Sequence, residues 1–183
     1  MTHSVRFEQH YKNIIYKDLI YKQNYLNIMQ VSTLKKINLN TTHKVNINDK
    51  KSFIYLLLGI EMISGQKPKI TFAKKPIASY KLRKNQLLGC KVTLRGSHMY
   101  SFLDKFITIF LPRLREFNTL TSQSFQSKNI YSTGSTSFSL FPELEHFFDI
   151  FNILRGLNIT VVTSSRTKTE SFLLLSGFQL PLK

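Results

Sequence analysis

The residues with the most chemical character lie in one stretch, Ser64 to Gly96, which reads SGQKPKITFAKKPIASYKLRKNQLLGCKVTLRG. It holds nine cations, Lys67, Lys69, Lys74, Lys75, Lys81, Arg83, Lys84, Lys91 and Arg95, and no Asp or Glu falls between Glu61 and Asp104. The chemistry open to such a set is the neutralisation of phosphates. Protein surfaces normally mix signs, because like charges repel and opposite charges relieve them. A long one-signed stretch therefore calls for a polyanion to supply the missing charge. The competing reading is a solvated basic loop with no partner. The bias runs through apparent strands as well as a loop, which argues against it.

Residues for other chemistry are present but not assembled. His3, His10, His43, His98 and His146 lie scattered, without metal-ligand spacing, and read as surface or capping histidines. There is neither a G-x-S-x-G elbow nor a phosphate-binding Gly-rich lysine loop. Cys90, the only cysteine, alternates with apolar neighbours and reads as a buried small hydrophobe rather than a nucleophile. A single cysteine excludes an intrachain disulfide and a cysteine-based zinc site. Glu143, Glu145 and Asp149 form the one acidic cluster; with nothing nearby to complete a ligand set, a solvated or salt-bridged turn is the better reading than a divalent-metal site. The expectation is a protein without metal, cofactor or catalytic site.

With 183 residues and 42% hydrophobic content the chain can build a real core. Its net charge of +16 and pI near 10.0 point to nucleic acid or an anionic membrane surface. The longest apolar run, Phe53 to Ile60, is far too short to span a bilayer, and the polar, mixed first twenty residues do not read as a secretory signal. A basic peripheral membrane protein, the alternative, needs a basic amphipathic helix. Here the cations fall on strands and a loop. Plentiful Phe, Tyr, Ile, Asn and Lys, with Ala only at Ala73 and Ala78, suggest an AT-rich coding genome of the kind organelles often have.

The elements that must position the basic stretch follow from periodicity. Residues 1–10 are expected to be loosely held, with a single domain over 11–183. Tyr11, Ile14, Ile15 and Leu19 recur at helical spacing. Val31 to Leu39 reads as a strand and Asn40 to Asn48 as a loop. Asp49 is placed to cap a helix with a buried stripe of Phe53, Leu56, Leu57 and Ile60, sandwiched against the sheet and ended by Gly65. Lys69–Ala73 and Leu87–Arg95 read as strands flanking a Pro-containing excursion, Lys74 to Gln86. In the second strand Cys90, Val92 and Leu94 share one face; Lys91, Thr93 and Arg95 share the other. Ser97 is placed to cap a helix of Met99, Phe102, Leu103, Phe106 and Phe110, ended by Pro112. Thr119 to Ser137 reads as a long polar loop, Ser137–Phe141 as a strand and Asn158–Thr163 as a strong β-branched strand. Thr167 and Glu170 have capping-box spacing for a last helix closed by Gly177. About four helices and five strands result: an α+β domain, its mixed, largely antiparallel sheet covered by helices on one face and free on the other.

Three blocks of the basic stretch, S-G-Q-K-P, A-K-K-P-I-A-x-Y-K-L-R and G-C-K-V-T-L-R-G, resemble the signature of the large-subunit ribosomal protein L-five family, in its order and spacing. The resemblance runs from about Tyr11 to Phe178. N-x-M-Q-V at Asn27–Val31, K-I-N-L-N at Lys36–Asn40, R-G-S-H-M-Y-x-F-L-D at Arg95–Asp104, L-P-R-L-R-E-F at Leu111–Phe117, F-P-E at Phe141–Glu143 and R-G-L-N-I-T-V-V-T-S at Arg155–Ser164 extend it. P-E-L-E-x-F-F-x-I-F at Pro142–Phe151 and L-L-L-S-G-F at Leu173–Phe178 are similar to the mitochondrial branch.

The resemblance implies an L-five-like fold and a structural role in the central protuberance of the large subunit, as a monomer among neighbouring ribosomal proteins. It implies contact with 5S rRNA and nearby large-subunit rRNA through Asn40, Gln66, Thr93 and Arg95, beside which the basic Lys36, Lys67 and Lys91 are further rRNA-binding candidates. A loop of Lys74, Lys75, Pro76, Ile77, Ala78, Ser79, Tyr80, Lys81 and Arg83 would face the peptidyl-site tRNA. Lys and Arg suit phosphates there, Thr, Asn and Gln suit sugar hydroxyls and splayed bases, and Pro76 stiffens the loop. The mitochondrial matrix is the implied location, with a plastid or bacterial cytoplasm as alternatives. Two loops depart from the family pattern. TTHKVNIN follows Asn40 where a Gly-containing turn is usual, and FQSKNIYS at Phe125–Ser132 lacks the family's glycines.

Overall fold

Period-two alternation sets up the sheet. In β1 (Leu34–Thr42), β3 (Leu87–Leu94) and β6 (Arg155–Thr163), one row is buried: Ile37 and Leu39, Cys90, Val92 and Leu94, Leu157, Ile159 and Val161. The row between them, including Asn38, Asn40, Lys91, Thr93 and Asn158, is half-buried or exposed. Such strands have one covered and one open face. The computed structural model describes residues 5–42, 50–80, 82–114, 124–137, 140–151 and 155–182. With β2 (Lys69–Phe72), β4 (Phe125–Ser127) and β5 (Ile130–Ser137), the described strands form one open six-stranded sheet of order β2-β3-β1-β6-β5-β4. The pairs β2–β3 and β4–β5 are antiparallel. The fold is α+β, as expected.

The chain divides into two compact units. The first comprises Met1–Ile37, Leu94–Thr133 and Thr160–Lys183. Here α1 (Arg6–His10), a π-helical turn (Tyr11–Ile15) and α2 (Tyr16–Lys22) follow one another without a break. Phe7, Tyr11, Ile15 and Leu19 are buried at a strict spacing of four. Four residues overshoot the 3.6-residue turn of an α-helix, and one wider turn returns the row to its face. The same device occurs after α4 (Gly96–Lys105), where Phe106–Phe110 is π-helical and α5 (Leu111–Arg113) follows. Met99, Phe102, Leu103, Phe106 and Phe110 are all buried. Phe178 ends α8 (Lys168–Gly177), with its ring centroid 5.7 Å from Phe7, 6.1 Å from Tyr11 and 6.2 Å from Tyr100. The Thr167 hydroxyl accepts from the Glu170 N–H at 3.3 Å as expected, while the Glu170 carboxylate accepts from the Arg166 N–H at 2.8 Å, one residue before the cap, so half of the capping box forms.

The second unit comprises Asn38–Thr93 and Gly134–Ile159. It contains α3 (Lys50–Ser64), β2, most of β3, α6 (Pro142–Glu145) and α7 (Phe148–Phe151), with α3 packed on both short helices. Gly65, at φ 63, closes α3 through an N–H bond of 2.8 Å to the Glu61 carbonyl.

Several expectations are corrected. Arg6–His10 is helical with Phe7 buried, because Phe7 continues the four-residue row that starts the helix. Asn40–Thr42 extends β1 instead of opening a loop, with the Thr41 hydroxyl donating to the Gly156 carbonyl at 2.7 Å; 43–49, including Asp49, lie outside the described residues. The cap of α4 is Arg95, two residues before Ser97, and Gly96 follows it at φ 56. Pro112 lies just after the π-helical turn, and the helix runs one residue past it, to Arg113. The described part of Thr119–Ser137 is the β4–β5 pair; its Ser and Thr side chains suit a strand with a polar face. Phe141 caps α6 rather than ending a strand, since Pro142 suits a first helical turn. The left-handed residue after α8 is Gln179, at φ 64, and Gly177 is instead a close approach, where a Cβ would lie 3.1 Å from Ile15 Cγ2. Finally, α3 buries Phe53, Leu56, Ile60 and Ile63, but Ile54, Tyr55, Leu58 and Met62 are exposed, so the helix is covered on one side only.

Candidate nucleic-acid interface

Antiparallel pairing decides what the basic residues of the second unit face. In the β2–β3 register Lys69 stands directly opposite Lys91, which puts two ammonium groups on one face with no carboxylate between them. Like charges in that position disfavour the pairing, so the ladder and the apolar row behind it must hold it. On the same strands Ile70 pairs with the fully buried Cys90. Burial alone pushes the Cys90 thiol up to about 12, so it stays a neutral core group. Gly89 admits the neighbouring backbone, since a Cβ there would lie 2.1 Å from the Thr41 carbonyl oxygen.

Beside the lysine pair lies an open concavity of about 490 Å³ lined by Gln66, Lys67, Lys69, Lys91, Val92 and Thr93. Gln66 is brought there by the turn after α3. The Ser64 hydroxyl donates to the Gln66 carbonyl at 3.0 Å and accepts its N–H at 3.2 Å. On the exposed row of β3 the Thr93 hydroxyl donates to Asn38 Oδ1 at 3.0 Å, which fixes the amide and leaves its NH₂ free to face a partner. Asn40 lies two residues on along β1 and is half-buried. Among the described residues, none of the Lys67, Lys69, Lys74, Lys75, Arg83, Lys84 or Lys91 side chains is in a salt bridge; the three described ion pairs all lie in the first unit. A cluster of uncompensated cations beside fixed amides and a hydroxyl can neutralise phosphates and bond sugar or base edges.

The excursion between β2 and β3 is a second exposed basic feature. It closes at its base through Ala73 N–H to Gln86 O and Asn85 N–H to Ala73 O, both 2.9 Å, with Asn85 left-handed at φ 63. It closes again through reciprocal 3.1 Å bonds between Ile77 and Leu82. Lys74, Lys75, Pro76, Ile77, Ala78, Ser79 and Arg83 are exposed. The Tyr80 side chain and Lys81 lie outside the described residues. The predicted residues thus form two groups in the second unit, Asn40 with Gln66, Lys67, Lys91 and Thr93, and the loop residues. Lys36, half-buried on β1, and the exposed Arg95 fall in the first unit.

Comparison with known proteins matches residues 27–83 to ribosomal protein L5 and residues 87–182 to the C-terminus of the ribosomal L5 family. The large ribosomal subunit protein uL5 of Variovorax paradoxus is 44% identical over 97% of this chain and 98% of its own length. The chain belongs to the ribosomal L5 family. The uL5m protein of Reclinomonas americana is 43% identical over 97% of both chains, and the uL5 protein of Neisseria meningitidis is 41% identical over 97% of this chain and 98% of its own. A member of this family is a structural protein of the large ribosomal subunit and not an enzyme.

Sequence reasoning left three residues out of this site. Asn38 is legible, because it precedes Asn40 by two on a strand and must share its face. Lys69 was visible as a cation, but its place opposite Lys91 depends on register. Gly89 carries no local signal; only the closeness of β1 and β3 reveals its role.

Proposed function

We propose that this L5-family chain anchors the central protuberance of a mitochondrial large ribosomal subunit. In this reading the β2–β3 face with Asn38, Asn40, Gln66 and Thr93 holds 5S rRNA and adjoining large-subunit rRNA. The loop of Lys74, Lys75, Ile77, Ser79, Lys81 and Arg83 reaches the peptidyl-site tRNA, and Lys36 and Arg95 meet rRNA from the first unit. The observation that carries it is the Lys69–Lys91 pair, two like charges opposed across a ladder in a unit whose described lysines lack carboxylate partners. That arrangement favours the bound state, in which RNA phosphate removes the repulsion. The organellar composition and the uL5m relative support the mitochondrial assignment, although bacterial relatives are equally similar.

Binding to 5S rRNA and to a same-length control RNA, measured at several salt concentrations, tests the reading. The wild-type chain is expected to prefer 5S rRNA. Changing Lys67, Lys69 and Lys91 to Ala is expected to lower the logarithmic salt slope by about 2 to 3, one unit or slightly less for each phosphate that is no longer neutralised. Changing Lys74, Lys75, Lys81 and Arg83 to Ala is expected to leave the preference for 5S rRNA intact and to weaken tRNA binding. Equal affinity of the wild-type chain for both RNAs would refute the 5S assignment. Absence of the tagged chain from purified mitochondrial ribosomes would refute the location.

A further inference from the structure

The neck of the basic excursion carries an aromatic ring that phosphate chemistry does not use. Phe72, the last residue of β2, is 54% exposed, the most exposed phenylalanine among the described residues. Its strand is at the edge of the sheet, so no described strand lies beyond it. Thr71 pairs with Gly89 but Phe72 pairs with Leu87, and the extra Leu88 makes a bulge, a device that re-aims side chains. The next residue is fixed twice. Ala73 donates to the Gln86 carbonyl and accepts from the Asn85 N–H, both at 2.9 Å. Phe72 is thus held at a closed neck, where the exposed Lys74 follows Ala73 on one side and the exposed Lys84 precedes Asn85 on the other.

An exposed Phe on an edge strand is a liability, since it invites pairing with another chain. Its surroundings say what it is for. The other strongly exposed phenylalanines, Phe147 and Phe148, lie between Glu145 and Asp149. Phe72 instead lies in the stretch between Glu61 and Asp104, which holds no carboxylate. A neutral ring among uncompensated cations suits an unpaired nucleobase, whose face stacks on the ring while its phosphates meet the lysines. Every base has such a face, so the contact does not depend on sequence. A membrane surface asks for a broad apolar helical face, whereas Phe72 is followed by a buried alanine and two exposed lysines. We propose that Phe72 is a stacking platform for one unpaired base of an RNA whose phosphates are held by Lys74, Lys75 and Lys84. The proposal rests on the reading of the excursion as an RNA contact and adds how it grips a base.

The chain contains no tryptophan, so Phe72→Trp places a single fluorescent reporter at the neck. Titration of the full-length variant with deacylated tRNA and with 5S rRNA is expected to quench that fluorescence with at least one of them, and the RNA that quenches is the source of the base. Phe72→Ala is expected to weaken binding of that RNA about 5- to 150-fold. Its logarithmic salt slope should stay at the wild-type value, since a ring neutralises no phosphate. RNA binding without quenching, or wild-type affinity of Phe72→Ala, would overturn the proposal. So would a fluorescence response to phosphatidylcholine–phosphatidylserine vesicles, or to self-association, but to neither RNA. If changing Lys74, Lys75, Lys81 and Arg83 to Ala left affinity for both RNAs unchanged, the reading of the excursion itself would fail, so the two failures are distinguishable.

Discussion

In the first unit Arg6 meets Asp104, Lys12 meets Glu8 at 2.7 Å and Lys22 meets Asp18 at 2.7 Å. In the second, Lys69 stands opposite Lys91, and the lysines around them have no described carboxylate partner. The cores differ in the same sense. The first unit is filled by stacked and tilted rings, with Phe106 and Phe110 5.4 Å apart and Phe178 surrounded by three aromatic neighbours. The second buries Phe53, Phe141 and Phe151 among aliphatic rows, with backbone closeness at Gly89. The described ion pairs relieve part of the first unit's charge, though it too keeps cations such as Lys36 and Arg95 without a described carboxylate partner, whereas the second sets two like charges face to face.

The largest expected effect probes the aromatic core. Phe178→Ala removes a fully buried ring that touches Phe7, Tyr11 and Tyr100. Its cost should be about 3–5 kcal/mol of unfolding free energy, measured by denaturant titration. RNA affinity of the folded fraction should change little, because of the proposed RNA-facing residues only Lys36 and Arg95 lie in the same unit as Phe178. A loss of RNA affinity at full folding would break the division of labour.

Periodicity exposed much of this. The row of Met99, Phe102, Phe106 and Phe110 and the alternation around Cys90 each name their buried face from spacing alone, since 3.6 and 2 are fixed by backbone geometry. The exposed trio Lys91, Thr93 and Arg95 was legible for the same reason. Composition misled where polar residues make strands. Ser, Thr, Asn and Gln between Phe125 and Ser137 look like a loop, because side-chain polarity says nothing about ladder bonds. The face of α3 misled in the opposite way: a nearly unbroken apolar run implies burial all round, yet Ile54, Tyr55 and Leu58 in it are exposed. Register was invisible throughout. Whether Lys69 meets Lys91 or a neighbour depends on where the intervening loop closes, and that is set by Ala73, Asn85 and Gln86.

A smaller effect separates the units by pH. Burial raises the hydroxyls of Tyr11 and Tyr100 and pushes Tyr131 up to about 12, all in the first unit; in the second, Cys90 is pushed up from 9.0 to about 12. Each group is neutral in the fold and ionises earlier in the unfolded chain. The unfolded state therefore releases protons first, and stability must fall as pH rises. Unfolding free energy should be flat below pH 9.0 on this account and decline from there to about 12. In a chain whose other tyrosines are changed to Phe, the absorbance of ionised tyrosine should appear together with the loss of far-ultraviolet ellipticity. Tyrosine ionisation at an ordinary value with the fold intact would show that the first unit's core is open to solvent.

The smallest effect is the sharpest, because it has opposite signs in the two units. Lys12→Gln removes a cation that sits four residues after Glu8 on a helix, the favourable order for such a pair. It should destabilise the free protein by about 0.3–0.5 kcal/mol at low salt. Lys91→Gln removes one of two opposed like charges on a strand pair and should stabilise it by about 0.2–1 kcal/mol. Both effects should shrink as salt screens these surface charges. On RNA the order changes: Lys91→Gln should lower the salt slope by about 1, and Lys12→Gln should leave it alone. If Lys91→Gln destabilised the free chain, an unseen carboxylate would have to neutralise that lysine, and the repulsion between Lys69 and Lys91 could not be what RNA relieves.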